Sequence, residues 1–136
     1  MSTTDSSIAT VLAAATEGLT YTSEADYPVE PVVLSGPPGE PVSPETFLRA
    51  AGKPPSTPAR TQSLEQFFEP VTREEAWHRE TERQLTQRFK HLESVLRENL
   101  TDLKVFKIGK TRGEVYVVGR TATGELAGVT TTIVET

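Results

Sequence analysis

Two histidines are the residues of this chain most suited to acid–base or metal chemistry, and their spacing argues against both. His78 and His91 are thirteen residues apart, and the apolar pattern around them predicts that both lie on one long helix. On a helix this separation is about 20 Å along the axis and more than half a turn around it. The two imidazoles therefore cannot share a metal ion.

The sequence also lacks the residue patterns of other kinds of catalytic site. The chain has no cysteine, which excludes a thiolate nucleophile, a thiolate ligand and a disulfide framework. No spacing of aspartates and glutamates pairs two of them as general acid and base. We therefore expect no enzyme, no cofactor and no metal site belonging to the chain itself.

Four residues are candidates for binding instead. Glu24 lies in a polar turn, and Glu75 and Trp77 lie at the start of the predicted long helix. A tryptophan such as Trp77 is ordinarily buried in the core, although tryptophan is also a frequent anchor residue of protein interfaces. Thr136 follows the last apolar residue of the last predicted strand by two positions, so the sheet ladder would hold its carboxylate in place.

The charge of −5 is unevenly distributed. Residues 1–50 carry seven acids and one base, whereas residues 51–136 carry twelve acids and thirteen bases. This distribution argues against nucleic acid as a direct ligand, because phosphate binding needs a basic surface. It permits a protein that resembles nucleic acid electrostatically and is steered to a basic partner.

Length and composition indicate one soluble domain over residues 1–136. Hydrophobic residues make up 35% of the 136 and charged residues 24%. No apolar run approaches the roughly 20 residues of a membrane span, and the N-terminus lacks the basic region of a secretory signal. We expect a cytoplasmic protein without membrane contact, and a monomer, because the long helix has no second apolar stripe.

The first half of the chain predicts short elements separated by turns. Pro31 should confine its strand to a sheet edge, and the three prolines after Gly52 favour a surface loop. The predicted elements are a helix from Ser6 to Thr16, strands at Leu19–Thr22 and Val29–Leu34, a short helix from Ser43 to Gly52, a loop at Lys53–Ser63, and a helical turn at Leu64, Phe67 and Phe68.

The second half predicts one long helix and a three-stranded meander. A capping-box pattern at Thr72–Glu75 precedes apolar residues at three- and four-residue steps from Trp77 to Leu100, which predicts one long amphipathic helix. The pairs Glu75/Arg79 and Glu93/Arg97 should face solvent on this helix. Strands near residues 105–108, 115–118 and 126–134 follow, joined by tight turns. The predicted class is an α+β layered sandwich.

Three collinear stretches resemble the bacterial nuclease A inhibitor family. They are EGLTYTSEADYPVE at 17–30, FFEPVTREEAW at 67–77 and VFKIGKTRGEVYVVGRTATGELAGVTTTIVET at 105–136. The resemblance implies a three-layer α/β/α sandwich with a largely antiparallel sheet, a variant of the pathogenesis-related protein fold. It also implies one-to-one inhibition of a ββα-metal, sugar-non-specific nuclease that holds magnesium among arginines.

In that family an acid at the position of Glu24 enters the nuclease site, and the C-terminal threonine, here Thr136, reaches the magnesium. The family's tryptophan matches Trp77. A contacting glutamine of the family is Glu75 here, which is a departure. Chemically, a carboxylate resembles a phosphate, because arginine grips both bidentately and magnesium prefers oxygen ligands.

Two alternatives remain open. An immunity-type or other protein-binding module of the same fold, with a different target, is motivated by Glu75 and by the poorly matching stretch at 35–63. A metal-dependent hydrolase would need a ligand cluster that the histidine spacing does not provide.

Overall fold

The structure is a computed structural model that describes residues 3–22, 26–34, 41–109, 112–122 and 124–134. Glu24 and Thr136 lie outside these ranges. The elements are α1 (Thr3–Thr16), β1 (Thr20–Thr22), β2 (Asp26–Pro28), β3 (Glu30–Leu34), α2 (Pro44–Ala50), β4 (Ala59–Gln62), α3 (Leu64–Thr72), α4 (Glu80–Asn99), β5 (Thr101–Ile108), β6 (Arg112–Arg120) and β7 (Leu126–Val134).

Local sequence signals fix the ends of the short helices. Gly18 has φ of 67° and ends the α1 region, as expected for a glycine in the left-handed conformation. Ser43 caps α2 by accepting a hydrogen bond from the Thr46 N–H at 3.2 Å. Ser63 and Gln66 form a reciprocal capping box at the start of α3. The predicted starts of α2 and of the helical turn at Leu64 are confirmed.

Five strands form the main sheet in the order β3-β7-β6-β5-β4, with antiparallel pairing throughout, and β1 and β2 form a separate hairpin. The predicted meander β5-β6-β7 is confirmed, and β3 with Pro31 is an edge strand as expected. We call the end of this sheet at Ile108, Arg112 and Val134 the Val134 end. The opposite end, at Asp102, Arg120 and Leu126, is the Asp102 end.

Buried side chains alternate between the two faces of the sheet. Val105 and Val117 belong to a cluster with the apolar residues of α1, α3 and α4. Phe106 and Val118 belong to a second cluster with Phe47 of α2, whose ring stacks on Phe106 at a centroid distance of 4.7 Å. The α+β class with a mostly antiparallel sheet is confirmed. The three layers and the likeness to pathogenesis-related proteins stay predictions, and the two clusters fit a layered arrangement.

The prediction of one helix from Thr72 to Leu100 is wrong in its first part. Thr72 is the last residue of α3, and its hydroxyl donates to the Phe68 carbonyl at 2.9 Å instead of capping a new helix. Residues 73–79 are not helical. The actual start of α4 follows Arg79, whose N–H donates to the Glu82 carboxylate at 3.2 Å.

Two strands were missed by the sequence analysis. Asp26–Pro28 forms β2, in a stretch where the sequence analysis placed no strand. Ala59–Gln62, within the predicted loop, forms β4 and pairs with β5. Both are short edge elements, where a nearby proline costs few ladder hydrogen bonds. Within the described ranges, no helix is both long enough and apolar enough to cross a membrane.

Candidate binding site

The hairpin formed by β1 and β2 flanks residues 23–25, which include Glu24. Thr20 pairs with Pro28, Tyr21 with Tyr27, and Thr22 with Asp26. Glu24 itself lies outside the described residues, but the two strands that flank it are fixed by this register. The contacts that hold these two strands therefore set where the chain leaves β1 and where it enters β2.

One strand of the hairpin is anchored to the helices through Tyr21. Its ring stacks on Phe67 of α3 at 4.7 Å and meets Phe89 of α4 edge-on at 5.9 Å. Its hydroxyl donates to the Phe67 carbonyl at 2.9 Å. Tyr21 is buried, so these contacts combine apolar burial with a satisfied polar atom. They hold β1 firmly against the two helices.

The other strand of the hairpin is held beside the end of β7. The Thr131 hydroxyl donates to the Pro28 carbonyl at 2.9 Å. The Arg112 guanidinium lies 5.1 Å from the centroid of the Tyr27 ring, within the range of a cation–π contact. Arg112 also pairs with Val134 in the sheet register. Arg112 thus contacts the hairpin and adjoins the last described residue of β7.

The segment at 73–79 belongs to the same end of the molecule. Helix α4 has 20 residues, about 30 Å at the usual rise. It passes directly into β5 through the single residue Leu100. Since this junction is at the Asp102 end and α4 packs against β5, the start of α4 lies toward the Val134 end.

Trp77 is exposed, with 68% of its surface accessible to solvent, so a core role is excluded. Its ring meets His78 edge-on at 4.5 Å. The His78 ring nitrogen Nδ1 accepts a hydrogen bond from the Glu75 N–H at 3.3 Å, and the His78 N–H donates to the Glu75 carbonyl at 3.1 Å. These two hydrogen bonds between Glu75 and His78 fix the backbone of the turn that contains Trp77.

Glu75 is held by Arg73 and not by Arg79 as expected. The Arg73 Nη1 lies 3.4 Å from the Glu75 carboxylate, and Arg73 Nε donates to Glu69 at 2.7 Å. Hydrogen bonding to Glu69 raises the pKa of Arg73, and the same bond lowers the pKa of Glu69. Because these groups are exposed, the ion pairs contribute little stability. The predicted pair of Glu93 and Arg97 is confirmed at 3.0 Å.

A shallow cavity of about 350 Å³ lies between the end of α3 and the start of α4. The exposed Trp77 and Leu85 line it together with the buried Phe89. Since Phe89 also contacts Tyr21, the wall of this cavity is continuous with the base of the hairpin. Its remaining lining residues are Pro70, Val71, Arg73, Glu75, His78, Glu82 and Thr86.

The histidines do not assemble a metal site. His78 lies in the turn before α4, so the expectation that both histidines are on one helix is wrong, while His91 is an exposed residue of α4. Among the residues that the structure describes, no group of three or more histidines, aspartates or glutamates could hold a metal ion.

Sequence reasoning missed Arg112 and Tyr21 as organisers of this end. Tyr21 and Tyr27 are six residues apart, a spacing that predicts nothing until their strands are known to pair. Arg112 was assigned to an ordinary hairpin turn. Only the register of β6 and β7 places it next to Val134.

The comparison with known families gives one match that spans nearly the whole chain. A family model described as Nuclease A inhibitor-like protein matches residues 6–136. No curated protein matches the chain. The matched range includes the hairpin, the 73–79 segment and β7, which together form the candidate site. The chain therefore belongs to the Nuclease A inhibitor-like protein family.

Proposed function

We propose that this protein inhibits a metal-dependent, sugar-non-specific nuclease of the ββα-metal type by occupying its active site with Glu24 and Thr136. Membership of the family supports a nuclease-inhibitor role in general. The proposal goes further, to a bacterial cytoplasmic monomer that forms a one-to-one complex and neither binds nucleic acid directly nor catalyses a reaction.

The chemistry of such a site favours these two residues. Arginines that bind substrate phosphate bind a carboxylate with the same bidentate geometry. Magnesium takes oxygen ligands and normally contacts phosphate oxygens of the substrate. The Glu24 carboxylate would replace one phosphate, and the carboxylate or hydroxyl of Thr136 would approach the metal of the nuclease. Neither group contains a bond that the nuclease can cleave, so binding becomes inhibition.

One observation carries the proposal: Arg112 contacts Tyr27 and adjoins Val134. Glu24 is three residues from Tyr27, and Thr136 is two residues from Val134. An extended chain covers at most about 3.5 Å per residue. The two proposed contact residues are therefore tethered within short reach of one arginine, as a two-point mimic of a nucleic acid backbone requires.

Trp77 and Glu75 would extend the contact surface on the helix side. An exposed tryptophan beside an apolar cavity is well suited to anchor an interface, because burying it on binding removes a large apolar area from water. Glu75 already has Arg73 as a partner at 3.4 Å. Glu75 occupies the position of the family's glutamine. Its existing ion pair with Arg73 favours a second candidate function, that of an immunity-type protein with a different nuclease target.

The test is a titration of the protein into a magnesium-dependent, non-specific nuclease of the ββα-metal type. We expect activity to fall linearly to a one-to-one endpoint. A variant with Gly-Ser-Gly-Ser appended after Thr136 should bind at least about tenfold more weakly, about 1.4 kcal/mol. It should unfold at the same urea concentration as the parent.

The matched control appends the same four residues before Met1. Helix α1 has 14 residues and is about 21 Å long, so its start is far from the hairpin that follows it. The control should inhibit like the parent. Equal inhibition by both extended proteins contradicts a role for Thr136, and inhibition of only a different class of nuclease favours the second candidate.

A further inference from the structure

His78 lies in the segment between α3 and α4 and is one of the two histidines of the chain. It is half-buried and lines the cavity between these helices, and the proposed function does not use it. Its side chain and its backbone both bond to Glu75, three residues earlier. These two bonds enclose Trp77, the residue proposed to anchor the partner.

The side-chain bond defines the protonation state of the imidazole. The Glu75 N–H donates to Nδ1 of His78 at 3.3 Å, so Nδ1 carries a lone pair and the hydrogen of the ring is on Nε2. In an imidazolium both ring nitrogens carry hydrogen, and neither can accept. Protonation of His78 therefore removes this bond and sets two N–H groups against each other.

Trp77 depends on this turn for its position. Because the indole ring is mostly exposed, packing against the core does little to hold it. It meets the His78 ring edge-on at 4.5 Å, and its backbone is enclosed by the two bonds between Glu75 and His78. A reorientation of the His78 ring therefore changes both the backbone and the ring contact of the tryptophan.

Three charged residues line the cavity with His78. They are Arg73 and Glu75 of the connecting segment and Glu82 of α4, while the lining residues from α3 carry no charge. An imidazolium is attracted to the two carboxylates and repelled by the Arg73 guanidinium and by the Glu75 N–H. The bond to the Glu75 N–H is therefore lost whichever carboxylate the ring approaches.

We infer that His78 is a positioning residue that holds the Trp77 turn in place while its imidazole is neutral and releases the turn when it is protonated. The inference deepens the proposed function and, as regards the contact of Trp77 with the partner, rests on it. An anchor that is held before binding loses less conformational freedom on association. Histidine is the side chain whose ordinary change of charge falls between pH 5 and 8, so inhibition should weaken in acid.

The hydrogen bond is tested in the free protein, by NMR measurement of hydrogen exchange at the Glu75 amide at about pH 7.5 and about pH 5.5. The measured rate is divided by the intrinsic rate at each pH, which gives the protection of this N–H. We expect protection in the parent to fall at least about threefold at the lower pH, because an imidazolium cannot accept. Equal protection at the two pH values overturns the titrating hydrogen bond.

Two asparagine variants sharpen this measurement. In His78→Asn the Oδ1 atom can accept in place of Nδ1 and does not titrate, so protection should change less than about 1.5-fold between the two pH values. His91→Asn replaces the other histidine, an exposed residue of α4, and should behave like the parent. A pH response that disappears in His91→Asn and persists in His78→Asn overturns the assignment to His78.

The positioning role is tested by inhibition constants at about pH 7.5. We expect His78→Ala to raise the constant at least about fivefold and His78→Asn to restore most of the loss, because only the alanine lacks an acceptor. In a Trp77→Ala background, His78→Ala should change the constant less than about 1.5-fold, since a residue that acts through Trp77 has no further effect without that ring. Equal effects in the two backgrounds overturn the positioning role and leave the proposed function intact.

The pH profile gives a readout that does not depend on how well His78→Ala folds. The inhibition constant of the parent divided by that of His78→Asn cancels any titration of the nuclease itself. This ratio should rise at least about threefold from pH 7.5 to pH 5.5, and a constant ratio overturns the role of protonation. Where the parent inhibits no nuclease, the proposed function fails and the role toward the partner with it, while exchange at the Glu75 amide still decides the hydrogen bond.

Discussion

At the Asp102 end of the sheet, polar side chains bond to their own chain, whereas at the Val134 end large side chains face solvent. Asp102 accepts hydrogen bonds from the Val42 N–H at 2.7 Å and from the Lys104 ammonium at 2.8 Å. The Arg120 guanidinium donates to the Gly124 carbonyl at 2.8 Å. The other end carries the exposed Trp77 and the Arg112 guanidinium on Tyr27.

The difference separates residues that stabilise the fold from residues that are suited to meet a partner. At the Asp102 end, substitutions should change the free energy of unfolding and leave inhibition intact. Replacing an exposed side chain at the Val134 end, such as Trp77, should change affinity and leave stability nearly intact, because an exposed side chain makes few contacts within the chain. Each experiment below compares a change at one end with a change elsewhere in the molecule.

The largest effect is expected for Glu24→Ala. Truncating one partner of a desolvated charge pair at an interface costs about 2–5 kcal/mol of binding free energy. The matched control is Glu98→Ala, an exposed acid close to the end of α4 that joins the Asp102 end. Inhibition constants measured by titration should rise steeply for Glu24→Ala only, and equal constants would remove Glu24 from the interface.

Trp77→Ala should weaken binding by about 2 kcal/mol, the usual scale of a tryptophan anchor. Its urea midpoint should stay that of the parent, because the ring is mostly exposed in the free protein. Phe89→Ala provides the contrast, since Phe89 is fully buried and its loss should cost about 3–5 kcal/mol of stability. If Trp77→Ala lowered the free energy of unfolding and left the affinity unchanged, the tryptophan would stabilise the fold and would not contact the partner.

Asp102→Ala should cost about 2 kcal/mol of stability without affecting inhibition. The substitution removes two hydrogen bonds from an exposed carboxylate and places alanine at φ of 53°, a conformation that asparagine tolerates better. Asp102→Asn should therefore cost less than Asp102→Ala. A loss of inhibition in either variant under folding conditions would mean that the two ends are coupled.

The same residue gives a pH test. The Lys104 ammonium and the Val42 N–H hold the pKa of Asp102 below its ordinary value. A carboxyl with a depressed pKa in the folded state stabilises the protein above its unfolded pKa, and this contribution is lost as the pH falls through the folded value. Below about pH 4, the stability gap between parent and Asp102→Asn should narrow. If the difference in stability between the parent and Asp102→Asn stayed constant from pH 7 to pH 3, the lowered pKa of Asp102 would be contradicted.

Glu75→Gln should have the smallest effect. The exposed pair with Arg73 is worth at most about 1 kcal/mol, so stability should hardly change. If Glu75 faces arginines of the nuclease, the glutamine variant should associate a few-fold more slowly at low salt, with the difference disappearing at high salt. The association rate measured at two ionic strengths checks this, and no salt-dependent difference would exclude Glu75 from the contact.

The fold was predictable where periodicity and capping agreed. The three strands of the meander and the helix starts at Ser43 and Ser63 followed from local signals. The start of α4 did not, because Thr72–Glu75 has the letters of a capping box while the Thr72 hydroxyl serves the preceding helix. Only the packing of α3 decides between these two uses of one hydroxyl.

The sequence suggested candidate site residues but not how they come together. The contact roles of Glu24, Trp77, Glu75 and Thr136 come from a resemblance, which carries no geometry, and they stay predictions. The contacts that organise this end join positions far apart in the sequence, such as Tyr27 with Arg112 and Tyr21 with Phe67. Such contacts depend on strand register, which single-residue patterns do not specify.

The two edges of the main sheet have a consequence for storage at high concentration. Strand β3 carries Pro31 and β4 has four residues directly after Pro58. Short, proline-marked edges are poor templates for a strand from another molecule, which discourages polymerisation through the backbone. Such edges allow the protein to accumulate to high concentration without forming fibres through its sheet.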